Sequence, residues 1–154
     1  MGDVKFSFQL LDKGNPVFSA FIMWASVLTI KFLLMSTLTA IHRYRSKTAA
    51  SPEDMAMMRV TELTTNEEVD RVKRAHLNDM ENILPFLSVG LFYVLTDPSA
   101  MVAIWLFRVT TVARFVHTFV YAIYVVPQPA RAICFFTHFG ITFYMAFMSI
   151  LYFI

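Results

Sequence analysis

The sequence has few of the residues that mark soluble, disulfide-stabilised or low-complexity chains. Only 16% of its 154 residues are charged, and 57% are hydrophobic, whereas average globular chains are about a quarter charged. One cysteine, Cys134, excludes an intrachain disulfide. Four glycines beside sixteen phenylalanines exclude a glycine-rich, disordered chain. A soluble domain of this length leaves about a third of its surface exposed and must keep it partly polar, so the composition favours a membrane protein.

The apolar residues are concentrated in four blocks, at 16–41, 83–96, 100–126 and 132–154. A membrane-spanning helix needs about 20 mostly apolar residues, and the second block reaches that length only by including Asp79 and Glu81. The alternation of apolar and polar residues that is typical of membrane β-strands is missing from the sequence. We therefore predict an all-α, polytopic bundle of four transmembrane helices in one domain, residues 1–154. The predicted spans are about 17–41, 76–96, 99–126 and 131–153, and the predicted cytoplasmic loop is about 42–75.

Proline and capping residues predict where helices begin and end. Asp97 is expected to cap the third helix, with Pro98 at its first position. The segment 127–129, Pro-Gln-Pro, is expected to stop that helix. Within the loop, Ser51 followed by Pro52 predicts the start of a short helix.

Basic residues predict the orientation in the membrane. The loop and the turn before the last block carry eight of the thirteen lysines and arginines: Arg43, Arg45, Lys47, Arg59, Arg71, Lys73, Arg74 and Arg131. The opposite side has only Lys5 and Lys13 in the N-terminal tail. By the positive-inside rule the loop faces the cytoplasm and both termini face the lumen or exterior. The first block is expected to act as an uncleaved signal anchor. Without a basic and aromatic groove pattern, nucleic acid is not an expected partner.

Ionisable side chains inside or beside the apolar blocks are the functional candidates, because each costs a few kcal/mol at the bilayer centre. In the second helix, one stripe within about 80° contains Arg71, Arg74, Asn78, Glu81 and Pro85. A stripe in the third helix contains Arg114, His117, Tyr121 and Tyr124, whereas Arg108 points elsewhere. In the fourth helix, Arg131 precedes Phe135, His138 and Thr142 on one face. With Arg43 at the end of the first helix, all four helices bring polar groups to one membrane level.

Two interpretations of these stripes stay open. In the structural one, Arg74 pairs with Glu81 or Asp79, and arginines at helix ends extend to the interface. In the other, the surplus cations bind an anionic ligand with two carboxylates, an amine and peptide bonds. No histidine or cysteine spacing typical of a metal site is present in the sequence, and no nucleophile motif is present either.

Two segments resemble the signature of a known family. Residues 50–54 (ASPED) and 68–86 (EVDRVKRAHLNDMENILPF) are similar to the membrane-associated eicosanoid and glutathione metabolism proteins, the MAPEG family. Residues 113–118 (ARFVHT) and 127–132 (PQPARA) extend the match. The resemblance covers nearly the whole chain from about Val17, and is strongest to the type 1 microsomal transferase branch.

The resemblance implies a homotrimer that binds glutathione as cosubstrate between neighbouring subunits near the cytoplasmic side. The implied glutathione contacts are Arg43, Lys73, Arg74, His76, Asn78, Glu81, His117 and Tyr121. Arg131 is implied as the catalytic residue that stabilises the glutathione thiolate, and no metal is implied. The implied activity is conjugation of glutathione to hydrophobic electrophiles, with peroxidase activity on lipid hydroperoxides. The expected location is the endoplasmic reticulum membrane or the mitochondrial outer membrane.

Departures from the family pattern bear on the activity. Met55 stands where some type 1 relatives have an activating cysteine, so a thiol switch is not expected. Lys73 stands where relatives often have arginine. Leu77 and Ala132 stand where prostaglandin E synthases of the family carry arginine and serine, which favours the transferase over a glutathione-dependent synthase. A lipid-binding scaffold without enzymatic activity and a small pore are two further hypotheses for a bundle of this kind.

Overall fold

The computed structural model describes residues 7–154, so Lys5 of the basic count lies outside the described residues. The regular structure in this range is helical throughout, which confirms the predicted all-α class. The α-helices are α1 (Ser7–Leu10), α2 (Pro16–Ser46), α3 (Pro52–Met58), α4 (Glu67–Val94), α5 (Ala100–Thr118) and α6 (Ala130–Phe153). A π-helical segment, π1 (Phe119–Ile123), continues α5 without a break.

Three helices are long and apolar enough to cross a membrane. They are α2, α5 together with π1, and α6, with mean hydropathies of 2.0, 1.3 and 1.6 over their most apolar windows. The 28-residue α4 is not among them, because charged residues occupy much of its first half. The chain is therefore a helical membrane protein, and a fourth crossing by α4 stays a prediction.

Asparagine caps start the two longest helices. The Asn15 side chain accepts a hydrogen bond from the Val17 N–H at 2.9 Å, and Pro16 holds the first helical position. The Asn66 side chain accepts from Glu68 N–H at 2.9 Å and Val69 N–H at 3.3 Å. Acidic residues in the first turn of α4 add favourable charge at its N-terminus. As a result α4 begins well before the second apolar block.

The third long helix begins two residues later than predicted. Helix α5 begins at Ala100 with Ser99 as its N-cap, not at Pro98 with Asp97 as cap. Asp97 has a left-handed φ of 48°, and its N–H donates to the Val94 carbonyl at 3.2 Å, so it closes the end of α4 instead. Ser51 does hold the N-cap position of α3, but its side chain makes no capping hydrogen bond. Helical structure ends at Ile123, before Pro127, in line with the predicted stop.

Two apolar clusters lie at different levels of the bundle. The larger cluster is built around Phe21, Phe86 and Phe107, whose ring centroids lie 5.5–6.3 Å apart. The smaller cluster, with Met35 and Val72 among its members, lies nearer the loop that joins α2 to α4. We call that side the loop end of the bundle. Between the two clusters along α2, α4 and α5 lies a layer of buried charge.

Candidate functional site

Three of the predicted site residues come together around a fourth, Tyr121, at the loop end. The Arg131 guanidinium carbon lies 4.4 Å from the centroid of the Tyr121 ring, and the His117 ring centroid lies 5.6 Å from it at a near-perpendicular angle. Arg74 also interacts with the Tyr121 hydroxyl. We call Arg74, His117, Tyr121 and Arg131 the Tyr121 cluster. It joins α4, α5 and α6 through π1.

The π-helical turn explains how α5 delivers Tyr121 to this cluster. In π1 the backbone N–H of Tyr124 donates to the Phe119 carbonyl at 2.7 Å, a five-residue spacing. Such wide turns within α-helices are frequent at functional sites. The segment packs against both α4 and α6. Sequence periodicity places His117 and Tyr121 on one face but does not predict the π-helical turn.

The pKa of Arg74 is raised above its usual value, first by its hydrogen bond to Glu67 and then by the Tyr121 hydroxyl. Arg74 Nη2 donates to Glu67 Oε1 at 2.6 Å, in a pair with both side chains at least half exposed. The partners predicted for Arg74 in the structural interpretation, Glu81 or Asp79, are therefore wrong, although Arg74 does form an ion pair within the chain. Glu67 lies two helical turns before Arg74 on the same face, so helix periodicity extended backward would have found this partner.

A buried ion cluster contains Arg114, one helical turn before His117 on α5. Asp79 accepts hydrogen bonds from the Lys31 ammonium and the Arg114 guanidinium, including one from Arg114 Nε at 3.2 Å. Thr118 donates more weakly to the same carboxylate, at 3.4 Å. Asp79 and Arg114 are fully buried, and Lys31 is 5% exposed. We call Lys31, Asp79 and Arg114 the ion triad; it has two cations and one anion, so its formal charge is positive.

Asn78 and Glu81, two other predicted contacts, have different surroundings. Asn78 Oδ1 accepts a hydrogen bond from Arg114 Nη2 at 3.0 Å, which connects it to the ion triad. Glu81 is exposed and forms no hydrogen bond or ion pair with the described residues. Its carboxylate is therefore available on the outer surface of α4.

The remaining predicted contacts line a separate cavity. Arg43, Lys73 and His76 border a space of about 870 Å³ between the end of α2, α3 and α4. His76 also packs edge-on against Phe32, with ring centroids 5.1 Å apart. We call this space the α2–α4 cavity. Within one copy of the chain, this cavity and the Tyr121 cluster hold most of the predicted site residues, while Asn78 lies at the ion triad and Glu81 on the outer surface of α4.

Several of these side chains have buried nitrogen atoms without a hydrogen-bond partner in the described part of the chain. They include Arg43 Nε, Arg71 Nε, His117 Nδ1 and Arg131 Nε. A buried donor that loses its partner costs roughly 1–3 kcal/mol. These four, half of the eight such side-chain atoms in the described residues, lie at the loop end and fit a site that receives an acceptor-rich, anionic ligand.

Sequence reasoning missed the partners that make up the ion triad. Lys31 is the one charge within the first apolar block. The second block is long enough to span a membrane only if it includes Asp79. A lone intramembrane charge is by default expected to have a partner, so these two residues could have been paired. Periodicity places Arg114 in a stripe of α5 but does not identify its carboxylate partner.

The fold and the site together define an integral-membrane helical bundle with a cationic and aromatic site at its loop end. The chain belongs to the MAPEG family, whose model matches residues 21–151.

The relatives carry two kinds of name. Human microsomal glutathione S-transferase 1 is 44% identical over 144 residues, which cover 90% of this chain and 91% of the relative. The rat protein of the same name is 42% identical over 152 residues, covering 96% and 94%. Rat prostaglandin E synthase is 36% identical over 117 residues, covering 75% of this chain and 76% of the relative.

Proposed function

We propose that this chain is a membrane glutathione transferase that joins glutathione to hydrophobic electrophiles through a thiolate stabilised by Arg131. The observation that carries the proposal is the placement of Arg131 over the Tyr121 ring, beside His117 and Arg74. Relatives named glutathione S-transferase, similar over at least 90% of both chains, support the enzyme class.

The ligand matches the chemistry of the predicted contacts. Glutathione has two carboxylates, an ammonium group, two peptide bonds and a thiol. Arginine binds carboxylates through paired N–H groups, which suits Arg43 and Arg74, and Lys73 adds a cation. The exposed Glu81 carboxylate can bind the ammonium. Asn78 can donate from its amide nitrogen, because only its oxygen is engaged by Arg114.

We further propose that the site forms between copies of the chain in a homotrimer. Lys73 and His76 lie one and two residues from Arg74, and at about 100° per residue they point away from it. A single copy therefore presents the Tyr121 cluster on one face and the α2–α4 cavity on another. Apposition of these faces from neighbouring copies would unite both groups of contacts around one glutathione.

The proposed mechanism depends on the pKa of the glutathione thiol. A free thiol has a pKa near 8.5, so only a few per cent is thiolate at pH 7. Lowering the pKa by one unit takes about 1.4 kcal/mol of preferential thiolate stabilisation. The Arg131 guanidinium, held on the Tyr121 ring, can supply this stabilisation while the thiol proton passes to water.

The thiolate then attacks the electrophilic carbon, forming a C–S bond as the leaving group departs with its electron pair. With a lipid hydroperoxide, the thiolate instead attacks the peroxide oxygen and the O–O bond breaks. A second glutathione completes that reaction, so that two thiols become a disulfide while the hydroperoxide becomes an alcohol and water. Both types of substrate partition into lipid, which suits a membrane-embedded site.

The proposed location is the endoplasmic reticulum membrane, with the mitochondrial outer membrane as a second location. The proposal includes a fourth crossing by α4 and a loop end that faces the cytoplasm, where soluble glutathione can enter. The basic residues at that end support this orientation.

The test compares Arg131→Leu with Arg59→Leu in detergent-purified protein. Arg59 is exposed at the end of α3 and lies outside the α2–α4 cavity and the Tyr121 cluster, so it controls for loss of surface charge. We expect Arg131→Leu to bind glutathione but to lose thiolate absorbance, with conjugation of a chlorinated nitrobenzene falling about ten- to a hundredfold. Wild-type protein that binds glutathione without conjugating it or reducing a hydroperoxide would contradict the proposed activity.

A glutathione-dependent prostaglandin E synthase is the second candidate, supported by the 36% identical relative of that name. Leu77 lines the α2–α4 cavity beside Lys73 and His76, where the synthase pattern has arginine. We expect wild type to be a poor isomerase of a prostaglandin endoperoxide. Isomerisation faster than conjugation would favour the synthase.

A further inference from the structure

Arg108 is an exposed cation on the outside of the bundle, far from the Tyr121 cluster. It lies on α5, eight residues after the helix begins at Ala100, and the described residues offer it no hydrogen bond or ion pair. Its guanidinium carbon lies 4.8 Å from the centroid of the Trp105 ring and 6.0 Å from that of Trp24. Two indole rings therefore hold a cation that has no anionic partner within the described chain.

This position lies within the predicted span, about 12 Å from the start of α5 at 1.5 Å per residue. Side chains on a helix lean toward its N-terminus, and long arginine side chains extend toward the interface. Arg108 therefore reaches toward the end of the bundle opposite the loop end. Tryptophans are enriched at the level of lipid headgroups, which is consistent with Trp24 and Trp105 on both sides of the guanidinium.

A second donor lies beside Arg108 without a partner. Trp24 Nε1 is buried and makes no hydrogen bond to the described residues, although buried indole N–H groups usually have a partner. The Arg108 guanidinium and the Trp24 indole N–H are therefore two neighbouring hydrogen-bond donors without an acceptor among the described residues. The chemistry that satisfies both is an oxygen-rich anion.

An apolar groove extends from Arg108 along α5 toward the first turns of α6. Its volume is about 370 Å³, and Val109, Val112 and Val116 of α5 line it with Ile133 and Cys134 of α6. From Trp105 to Val116 the groove follows about 16 Å of helix. This is about half of the 30 Å hydrocarbon thickness, so its length matches that of one acyl chain.

We propose that Arg108 and Trp24 bind the phosphate of a phospholipid from the leaflet at the Ala100 end, while one of its acyl chains occupies this groove. Phospholipids with a net negative headgroup bind best, because they lack the choline or ethanolamine cation that would lie near Arg108. The site is separate from glutathione binding and does not depend on the proposed enzymatic activity.

The chain contains only two tryptophans, and both contact Arg108, so intrinsic fluorescence reports directly on this site. The experiment reconstitutes the full chain with phosphatidylglycerol, phosphatidylcholine or diacylglycerol, each carrying brominated acyl chains that quench tryptophan on contact. We expect phosphatidylglycerol to compete for the site about fivefold better than phosphatidylcholine, the ratio expected for one arginine near anionic lipid. Diacylglycerol, which has no phosphate, should compete least.

Arg108→Gln should abolish these preferences, whereas Arg45→Gln should keep them. Trp24→Phe, with Trp105 as the remaining reporter, should weaken the preference without removing it and provides the test if Arg108→Gln does not fold. Equal quenching by phosphatidylglycerol and diacylglycerol would overturn the proposal. Displacement of the brominated lipid by millimolar inorganic phosphate would also overturn it, because the site would then select a soluble anion.

Discussion

The Arg131 guanidinium lies over the Tyr121 ring, with 4.4 Å between its carbon and the ring centroid. This contact connects the first turn of α6 to the π-helical end of α5. The ring orients a cation whose Nε is buried without a partner in the described chain. We therefore expect the Tyr121 ring to act mainly on Arg131 and the Tyr121 hydroxyl to act mainly on Arg74.

Substitutions of Tyr121 can separate these two contributions. Tyr121→Phe retains the ring and should keep conjugation within about twofold of wild type, with a small rise in the KM for glutathione. Tyr121→Leu removes a cation–π contact of about 0.5–2 kcal/mol, so kcat should fall by up to about thirtyfold. Tyr124→Leu is the control, because Tyr124 is exposed and stacks on Phe119 outside the cluster. Equal losses in Tyr121→Phe and Tyr121→Leu would show that the hydroxyl, not the ring, matters.

Glu67 competes with a ligand carboxylate for Arg74 because it accepts a hydrogen bond from that guanidinium. Glu67→Gln should therefore lower the KM for glutathione by about two- to fivefold at low ionic strength, with little change in kcat. Salt screens exposed charges, so the difference should disappear near 1 M salt. Glu62→Gln, also exposed, controls for the change in net charge. An unchanged KM at low salt would argue against contact between Arg74 and the ligand.

Much of the fold could be predicted from the sequence because lipid imposes a simple requirement. Long uncharged runs such as 132–154 allow a helix and little else, since backbone groups in a bilayer must be satisfied within the segment. The same reasoning fails for α4, where charged and apolar residues alternate along one helix. Its start at Glu67 depends on local capping by Asn66, which hydropathy does not detect.

The candidate site was predictable along each helix but not between helices. Periodicity places Arg74 and Asn78 on one face of α4, and His117 and Tyr121 on one face of α5. It could not predict that Asp79 meets Lys31, 48 residues away, and Arg114, 35 residues away. Such contacts depend on how the helices pack, and the charge of a residue does not specify which opposite charge it reaches.

The ion triad predicts an asymmetric response to removal of its members. Asp79→Asn leaves two buried cations without an anion and should destabilise the protein by about 3–5 kcal/mol. Lys31→Met leaves Arg114 and Asp79 as a neutral pair. It should lower the free energy of unfolding by less than half as much as Asp79→Asn does. Unfolding in detergent by heat or denaturant measures both.

The control for the ion triad is Asp70→Asn. Asp70 accepts from Lys73 at 3.0 Å, in a pair where each side chain is 41% exposed, so its loss should cost at most about 1 kcal/mol. If Lys31→Met proved as destabilising as Asp79→Asn, the contribution of the ion triad to stability would not depend on its charge balance.

Gly90 and Gly140 provide a matched test of packing between helices. A Cβ at Gly90 would lie 2.4 Å from Phe21 Cε2, whereas a Cβ at Gly140 would meet nothing within 4 Å. The Phe21 ring cannot move aside easily, because it packs against the rings of Phe86 and Phe107. Gly90→Ala should therefore destabilise the protein by about 1–3 kcal/mol, although alanine is the better helix former.

Gly140→Ala should have the opposite effect and stabilise the protein by about 0.5–1 kcal/mol, because only the helix preference changes there. Thermal unfolding of both variants in the same detergent gives the comparison. Adding Phe21→Leu to Gly90→Ala should recover part of the loss, since the smaller side chain relieves the overlap. Stabilisation by Gly90→Ala would mean that α2 and α4 can separate at this crossing without cost, and that the aromatic cluster does not fix their distance.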